Sequence, residues 1–259
     1  MKIAVITGAS SGMGREAAFQ IGDQFGGIEE IWLIARRKDR LEELQGRFPA
    51  GVRCFAMDVT SAEAQGKLAE VLSREKPDVK ILVNAAGFGK IGRAEELDPE
   101  SERGMIRLNC EALCAMTRLV LPYMSDNSRI LQFASAASFL PQPKFAVYAA
   151  TKSFVLSYSR ALGAELKGRR IYVTAVCPGP VKTEFFDIAE TGGQIPVYKK
   201  LVMADPGKVV RKALRDSCMG KSMSVYGITM QAFGILCKTV PHPWILKLMA
   251  AMDRELSGR

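Results

Sequence analysis

Lys2-Ile-Ala-Val-Ile-Thr7-Gly8-Ala-Ser-Ser-Gly12-Met-Gly14 opens the chain and decides its architecture. Lys2–Thr7 is a short, nearly unbroken apolar run, which is how a strand buried on both faces reads. Glycines follow at GxxxGxG spacing, and Gly14–Gln24 then reads as a helix. Glycine allows a tight turn and close backbone approach, while the helix N-terminus offers free N–H groups and the positive end of its dipole. A strand, glycine turn and helix in this order can cradle a pyrophosphate. The candidate residues are Gly8, Ser10, Ser11, Gly12, Met13 and Gly14.

The same alternation continues downstream. Further strands are expected at Glu30–Ala35, Val52–Met57, Ile81–Asn84, Arg129–Ala134, Ile171–Cys177 and Met223–Tyr226. Helices are expected at Asp39–Phe48, Ala62–Glu75, Pro99–Tyr123, Phe145–Gly168 and Pro206–Arg215. Apolar strands alternating with helices predict an α/β fold with a doubly wound, Rossmann-type parallel sheet covered on both sides. The 259 residues, 48% of them hydrophobic, are enough for one large core. No linker, repeat or composition break divides the chain, so residues 1–259 are read as a single domain. From Ile228 onward the pattern becomes an apolar helical extension, with segments Ile228–Lys238 and Trp244–Leu256 around Pro241-His-Pro243.

The second strand ends Leu33-Ile34-Ala35-Arg36-Arg37. Roughly 20 residues past the glycine turn, an NAD-binding chain places an acid on the ribose 2′-hydroxyl. Here two arginines follow the strand instead, and a guanidinium can bind a 2′-phosphate through paired hydrogen bonds. The expected cofactor is therefore NADP(H), with Arg36 the first candidate and Arg37 and Arg15 behind it. The bland alternative is a solvated arginine pair.

Tyr148-Ala-Ala-Thr-Lys152 lies in a helical stretch, and its i, i+4 spacing puts phenol and ammonium on one face. A nearby positive charge lowers a phenol pKa toward the range useful for proton transfer. Ser135, thirteen positions earlier, ends a strand whose C-terminal end faces the expected crevice. Its hydroxyl can donate to a carbonyl or accept from an alcohol. Ser138 is a rival in the same loop. His242 is the only histidine, so neither a histidine base nor a multi-histidine metal site is expected, and no metal is assigned.

Together these pieces resemble the short-chain dehydrogenase/reductase family over at least Met1 to Phe186. The matching residues are Thr7-Gly8-xxx-Gly12-x-Gly14, Asp58-Val59, Asn84-Ala85-Ala86-Gly87, Asn109, Ser135, Tyr148-xxx-Lys152 and Pro178-Gly179-Pro-Val181-Lys-Thr183. The resemblance implies a reversible carbonyl/alcohol oxidoreductase in which Ser135 orients the oxygen and Tyr148 transfers the proton. It implies that Lys152 tunes Tyr148 and holds the nicotinamide ribose. It implies that Asn109 interrupts its helix and holds a water in a relay from Lys152. Asp58 would bond the adenine amine beside Val59, and Asn84, Ala85, Ala86 and Gly87 would pass close to the cofactor. Pro178 and Gly179 would lie beneath the nicotinamide, with Val181 and Thr183 at its carboxamide. Each has a plainer alternative: Asp58 as a helix cap, Asn109 as a helix-surface amide, Thr183 as the cap of the next helix.

The resemblance also implies that Phe88, Phe139, Leu140, Phe145, Phe185 and Phe186 border the pocket, which favours an apolar small-molecule carbonyl or alcohol over a sugar. Thr183–Met203, with Gly192-Gly193, is expected to form a lid. The tail is loosely similar to the 3-ketoacyl reductase and hydroxysteroid dehydrogenase branch. It is read as packing on its own domain or a sister subunit, with peripheral membrane contact through Lys238, Lys247 and Arg254 as the other option. Small residues along the tyrosine helix (Ala149, Ala150, Ser153, Ser157, Ala161) suggest a homodimer or homotetramer. A net charge of +9 without a dense Lys/Arg run interleaved with aromatics gives no nucleic-acid reading. A polyanionic small ligand or an acidic carrier could use that charge. Six scattered cysteines, no long apolar span and a strand beginning at Lys2 lead to the expectation of a cytoplasmic chain without a signal peptide. Two rival functions share these residues: a non-catalytic NADP(H) sensor, and an epimerase or lyase on the same fold.

Overall fold

The computed structural model describes residues 1–189, 203–247 and 249. Seven strands form one sheet in the order β3-β2-β1-β4-β5-β6-β7. They are β1 (Lys2–Thr7), β2 (Glu30–Ala35), β3 (Gly51–Ala56), β4 (Asp78–Asn84), β5 (Arg129–Phe133), β6 (Tyr172–Val176) and β7 (Met223–Ser224). Every neighbouring pair is parallel. The winding reverses between β1 and β4, and that reversal opens a crevice at the C-terminal ends of the strands.

Parallel strands need crossovers, and helices supply them on both faces. One face packs Ala4, Ile6, Ile31 and Leu33 against α1 (Gly12–Gln24) and α8 (Pro206–Cys218). The other packs Ile3, Val5, Trp32 and Ile34 against α3 (Ala62–Glu75), α5 (Leu113–Val120) and α6 (Ala146–Glu165). Successive residues of β1 and β2 thus enter opposite cores, which is why both strands read as continuous apolar runs. Each Ile or Leu buried in this way stabilises the fold by roughly 1.5–3 kcal/mol.

Several boundaries differ from expectation for local reasons. The helix expected at Asp39–Phe48 survives only as α2 (Lys38–Glu42), because the chain turns through Gly46 at φ 69° and reaches Pro49. The long helix expected at Pro99–Tyr123 is three pieces. These are α4 (Pro99–Ile106), a wider π-helical turn at Arg107–Ala112, and α5, which tightens to 3-10 geometry at Leu121–Tyr123 around Pro122. The strand expected at Met223–Tyr226 shrinks to two residues ahead of Gly227 at φ 87°.

The extension forms α9 (Ile228–Thr239) and a helical turn at 242–247. The inward face of α9 packs on its own domain: Phe233 meets Phe139 at 6.5 Å, and Met230 sits against Gly179. Its outward face leaves Ile228, Ile235 and Leu236 exposed, as is Trp244. The rest of the helix expected at Trp244–Leu256, apart from Met249, lies outside the described residues, as does most of the expected lid. The described start of that expected segment contains α7 (Phe185–Ala189). Among the described residues no helix is long and apolar enough to cross a membrane.

Gly8 stands at φ 70°, where a Cβ would approach the Ala86 amide nitrogen to 2.7 Å and the Ala85 carbonyl carbon to 2.8 Å. Gly8→Ala is therefore expected to lower folding stability by about 1–3 kcal/mol. An unchanged urea midpoint would contradict this packing.

Candidate active site

The crevice is built from backbone first. β1 ends at Thr7, whose hydroxyl donates to the Val83 carbonyl (3.4 Å) and accepts from the Ala86 amide (3.3 Å). This fixes the glycine turn against the end of β4. α1 begins at Gly12, and its N-cap Ser11 makes no side-chain capping bond, so the first-turn N–H groups stay available to an anion. Gly8 and Gly14 admit no side chain: a Cβ on Gly14 would lie 2.3 Å from the Gly8 carbonyl oxygen. A backbone cradle of this shape fits a dinucleotide pyrophosphate.

The two arginines after β2 have different surroundings. Arg36 is exposed and makes no hydrogen bond or ion pair among the described residues. Arg37 folds back over the turn, donating to Ser11 Oγ (2.8 Å) and Ser10 Oγ (3.2 and 3.3 Å) and pairing with Glu184 (3.0 Å). Arg15 is ion-paired with Glu43 at 3.1 Å. Of the three candidates, Arg36 alone has all its donors free among the described residues. Asp58 Oδ1 accepts from the Thr60 amide (2.9 Å) and hydroxyl (2.8 Å). Burial opposes its ionisation, but the Thr60 bonds and the Arg36 charge outweigh burial and hold the carboxyl below its usual range. The helix cap is Ser61, not Asp58. Val59 is buried beside it.

At the end of β4 the roles divide. Asn84 is buried, with its amide bonded to Thr117 (2.9 Å) and Gln132 (3.0 Å), so it joins β4, β5 and α5. Ala85 and Ala86 abut Gly8, and Gly87 passes between Asn109 and Lys152. Asn109 lies in the π-helical turn and is fully buried, which removes the helix-surface reading. Its side chain accepts from the Phe88 amide (3.1 Å) and donates to the Phe88 carbonyl (2.9 Å) and Thr151 (3.1 Å).

Ser135 ends the loop after β5 and caps a 3-10 turn, accepting from the Ala137 amide (3.1 Å). Its hydroxyl also acts on the Tyr148 phenol, favouring the ionised form. Ser138 instead donates to the Ser135 carbonyl (2.6 Å). Tyr148 and Lys152 lie one turn apart on α6, both buried. Tyr148 stacks on Phe145 at 4.2 Å, and Phe185 lies 5.3 Å away. Phe88 and Ile91 complete this wall. Phe186 packs edge-on to Phe185, whereas Phe139 turns to Phe233 and Leu140 is buried in the loop. Lys152 donates to the Phe133 carbonyl at 2.7 Å, with its nitrogen 5.7 Å from the Tyr148 ring centre.

The electrostatics correct one expectation. Lys152 does not lower the phenol pKa here; burial pushes Tyr148 up to about 12, opposed only by the Ser135 hydroxyl. Burial also brings Lys152 down to about 8. Desolvation disfavours the charged form of each group. The phenol is therefore neutral at neutral pH.

Beyond β6, the Pro178 carbonyl accepts from the Ala136 amide (2.8 Å), tying the serine loop to this strand end. Val181 is buried and bridges to Ala204. Thr183 accepts from the Phe185 amide (3.4 Å), the capping role, and also lies against Gly12. Three participants escaped the sequence reading: Thr151, Arg40 and Glu184. A hydroxyl on the tyrosine helix was the only signal for Thr151. Charged side chains far apart in sequence gave none for Arg40 and Glu184.

Fold and site together define a dinucleotide-dependent oxidoreductase class. Residues 2–191 match the family described as short chain dehydrogenase, and the chain belongs to that family. It is similar to the very-long-chain 3-oxoacyl-CoA reductase of Homo sapiens, 29% identical over 263 residues, 97% of this chain and 80% of that protein. Its structure resembles a short-chain dehydrogenase from Sphingobium yanoikuyae in complex with NADPH, with TM-score 0.77, 26% identity and coverage of 99% and 96% of the two chains. It also resembles the 3-ketoacyl-(acyl-carrier-protein) reductase from Brucella melitensis complexed with NADH, with TM-score 0.75, 27% identity and coverage of 86% and 95%.

The buried lysine gives a pH signature. Between about 8 and its ordinary value near 10.5, the unfolded chain keeps a proton that folded Lys152 has lost. Stability from this group therefore rises with pH across that window. In urea unfolding, wild type should gain on Lys152→Met between those values; a constant difference would contradict the assignment.

Proposed function

We propose that this protein is an NADP(H)-dependent oxidoreductase interconverting a carbonyl and a secondary alcohol on an apolar substrate, such as a ketosteroid or a 3-ketoacyl compound. The observation that carries this reading is the neutral, buried Tyr148 phenol, close enough to Ser135 to feel its hydroxyl and one helical turn from Lys152. The wall of Phe88, Phe145 and Phe185 around it favours apolar substrates, and the named human relative and the NADPH-bound neighbour point the same way. The free Arg36 beside the glycine cradle supports NADP(H) over NAD(H), since its fork is open to a 2′-phosphate.

A bound nicotinamide dinucleotide would supply or take up the hydride. The glycine turn and the N-terminus of α1 would hold its pyrophosphate, Arg36 the 2′-phosphate, and Asp58 and Val59 the adenine. Ser135 would orient the substrate oxygen through its hydroxyl, a preorganised contact that strengthens as charge develops there. Tyr148 Oη would give its proton to that oxygen in reduction and take it back in oxidation. Lys152 would hold the ribose beside the phenol, and Asn109 would keep Phe88 and Thr151 fixed around both. Gly87, Pro178, Gly179, Val181 and Thr183 would complete the nicotinamide end.

Residues 1–259 are proposed to act as one domain with 228–259 as its extension. The exposed Ala150, Ser153, Ser157 and Ala161 on α6 support a homodimer or homotetramer, whereas Ala149 turns into the core. Six free thiols suit the cytoplasm.

Turnover of a ketone panel with NADPH and NADH tests the reading. Tyr148→Phe should abolish turnover while leaving NADPH affinity nearly intact, because it removes the donor and not the cradle. Ser135→Ala should lose roughly 10²–10³ in rate. Retention of most activity by Tyr148→Phe would sink the mechanism. NADPH binding without turnover of any ketone would favour a sensor. Arg36→Asp should shift preference toward NADH; equal wild-type affinity for the two cofactors would rule against Arg36 as the phosphate reader.

A further inference from the structure

Residues 183, 184 and 185 touch three different parts of the site in sequence order. Thr183 Cβ lies 3.4 Å from where a Gly12 Cβ would stand. Glu184 meets the arginines after β2. The Phe185 ring lies 5.3 Å from Tyr148. Glu184 is the middle link, and both of its carboxylate oxygens are engaged. Oε2 accepts from Arg37 at 3.0 Å, and Oε1 accepts from Arg40, which lies one turn further along. Arg37 and Glu184 are 147 residues apart in sequence.

Arg37 is the hinge of this arrangement. One nitrogen, NH1, bonds Glu184, while Nε and NH2 bond the Ser10 and Ser11 hydroxyls of the glycine turn. Its fork is thus occupied on both sides, unlike that of Arg36. A lone surface ion pair contributes little. Here two guanidiniums share one carboxylate in charge-assisted bonds, one of them also bonds two serine hydroxyls, and a lysine could not reproduce the planar fork. The hydrogen bond from Arg40, opposed only by partial burial, leads in holding the Glu184 carboxyl below its usual range.

We infer that Glu184 is a positioning residue. It locks Arg37 across the Ser10–Ser11 turn, so that the pyrophosphate cradle and the Phe185 wall of the substrate pocket are held by one ion-paired clamp. This rests on the oxidoreductase reading above and deepens it. Arg36 reads the 2′-phosphate, whereas Arg37, Arg40 and Glu184 set the shape of a cradle that every nicotinamide dinucleotide uses. Loss of the clamp must then weaken NADPH and NADH alike, and must also loosen the grip on the ketone.

The test uses full-length wild type, Glu184→Gln, Glu184→Asp and Arg36→Asp. Calorimetry gives the affinities for NADPH and NADH, steady-state kinetics gives KM and kcat for a ketone, and urea midpoints control for folding. Glu184→Gln should weaken both dinucleotides by a similar factor, about three- to tenfold, and raise the ketone KM more than it lowers kcat. Glu184→Asp, which keeps the charge, should recover part of each loss. Arg36→Asp should weaken NADPH alone. If Glu184→Gln weakened NADPH but spared NADH, the residue would act at the 2′-phosphate and the clamp would be overturned. Unchanged or tighter binding of both cofactors would overturn it as well. Absence of ketone turnover by the wild type would sink the proposed function, while the affinity comparison would still decide the clamp.

Discussion

The backbone contact between Gly8 and Ala85–Ala86 is the constraint on which the site depends. A Cβ at Gly8 would come within 2.9 Å of three atoms there, so the first crossover can approach β4 closely only because that position is glycine. This approach places the end of β1 beside the end of β4 at the point where the sheet reverses its winding. Gly14 continues the constraint by letting α1 start directly over the Gly8 carbonyl. Without these contacts the cradle would open, and the strand ends carrying Ser135 and Pro178 would face a different surface.

Around this crevice, burial sets the chemistry. Tyr148 and Lys152 share one face of α6, and desolvation moves each toward its neutral form: up to about 12 for the phenol and down to about 8 for the amine. A neutral phenol is the right state for donating a proton to a carbonyl oxygen. The lysine keeps its place by donating to the Phe133 carbonyl at the end of β5. Asn109 achieves its position through a π-helical turn, a widening that commonly marks functional positions. Its amide meets both polar groups of Phe88 and the Thr151 hydroxyl, so a single side chain joins the β4 loop to the tyrosine helix.

The extension after β7 belongs to the same packing problem. Met230 fills the space a side chain on Gly179 would need, and a Cβ on Gly234 would lie 3.2 Å from the Phe139 ring. The extension thereby backs the strand end after β6 and the serine loop, while the aromatic wall nearest Tyr148 comes from the β4 loop, the start of α6 and α7. Pocket floor and pocket wall thus derive from different parts of the chain.

The sequence by itself determined what local patterns encode. Both-face burial wrote Ile3–Ile6 and Ile31–Ile34 as unbroken apolar runs, which specified a parallel sheet. Gly8, Gly12 and Gly14 marked the turn, Gly8 and Gly14 because a Cβ would strike backbone and Gly12 because it stands at φ 53°, and helical periodicity put Tyr148 and Lys152 on one face. Only the tertiary structure decided which arginine is free. Arg36 and Arg37 are adjacent and alike in sequence, but Ser10, Ser11 and the distant Glu184 capture one and leave the other open. The same holds for the direction of the Tyr148 shift, because spacing reveals a neighbouring charge but not how much water the fold removes. Asn84 and Asn109 follow this rule too: their positions were legible, while their partners at Thr117, Gln132, Phe88 and Thr151 come from other elements. Patterns within one element report propensity and burial, whereas hydrogen bonds and desolvation between elements exist only after the chain has closed on itself.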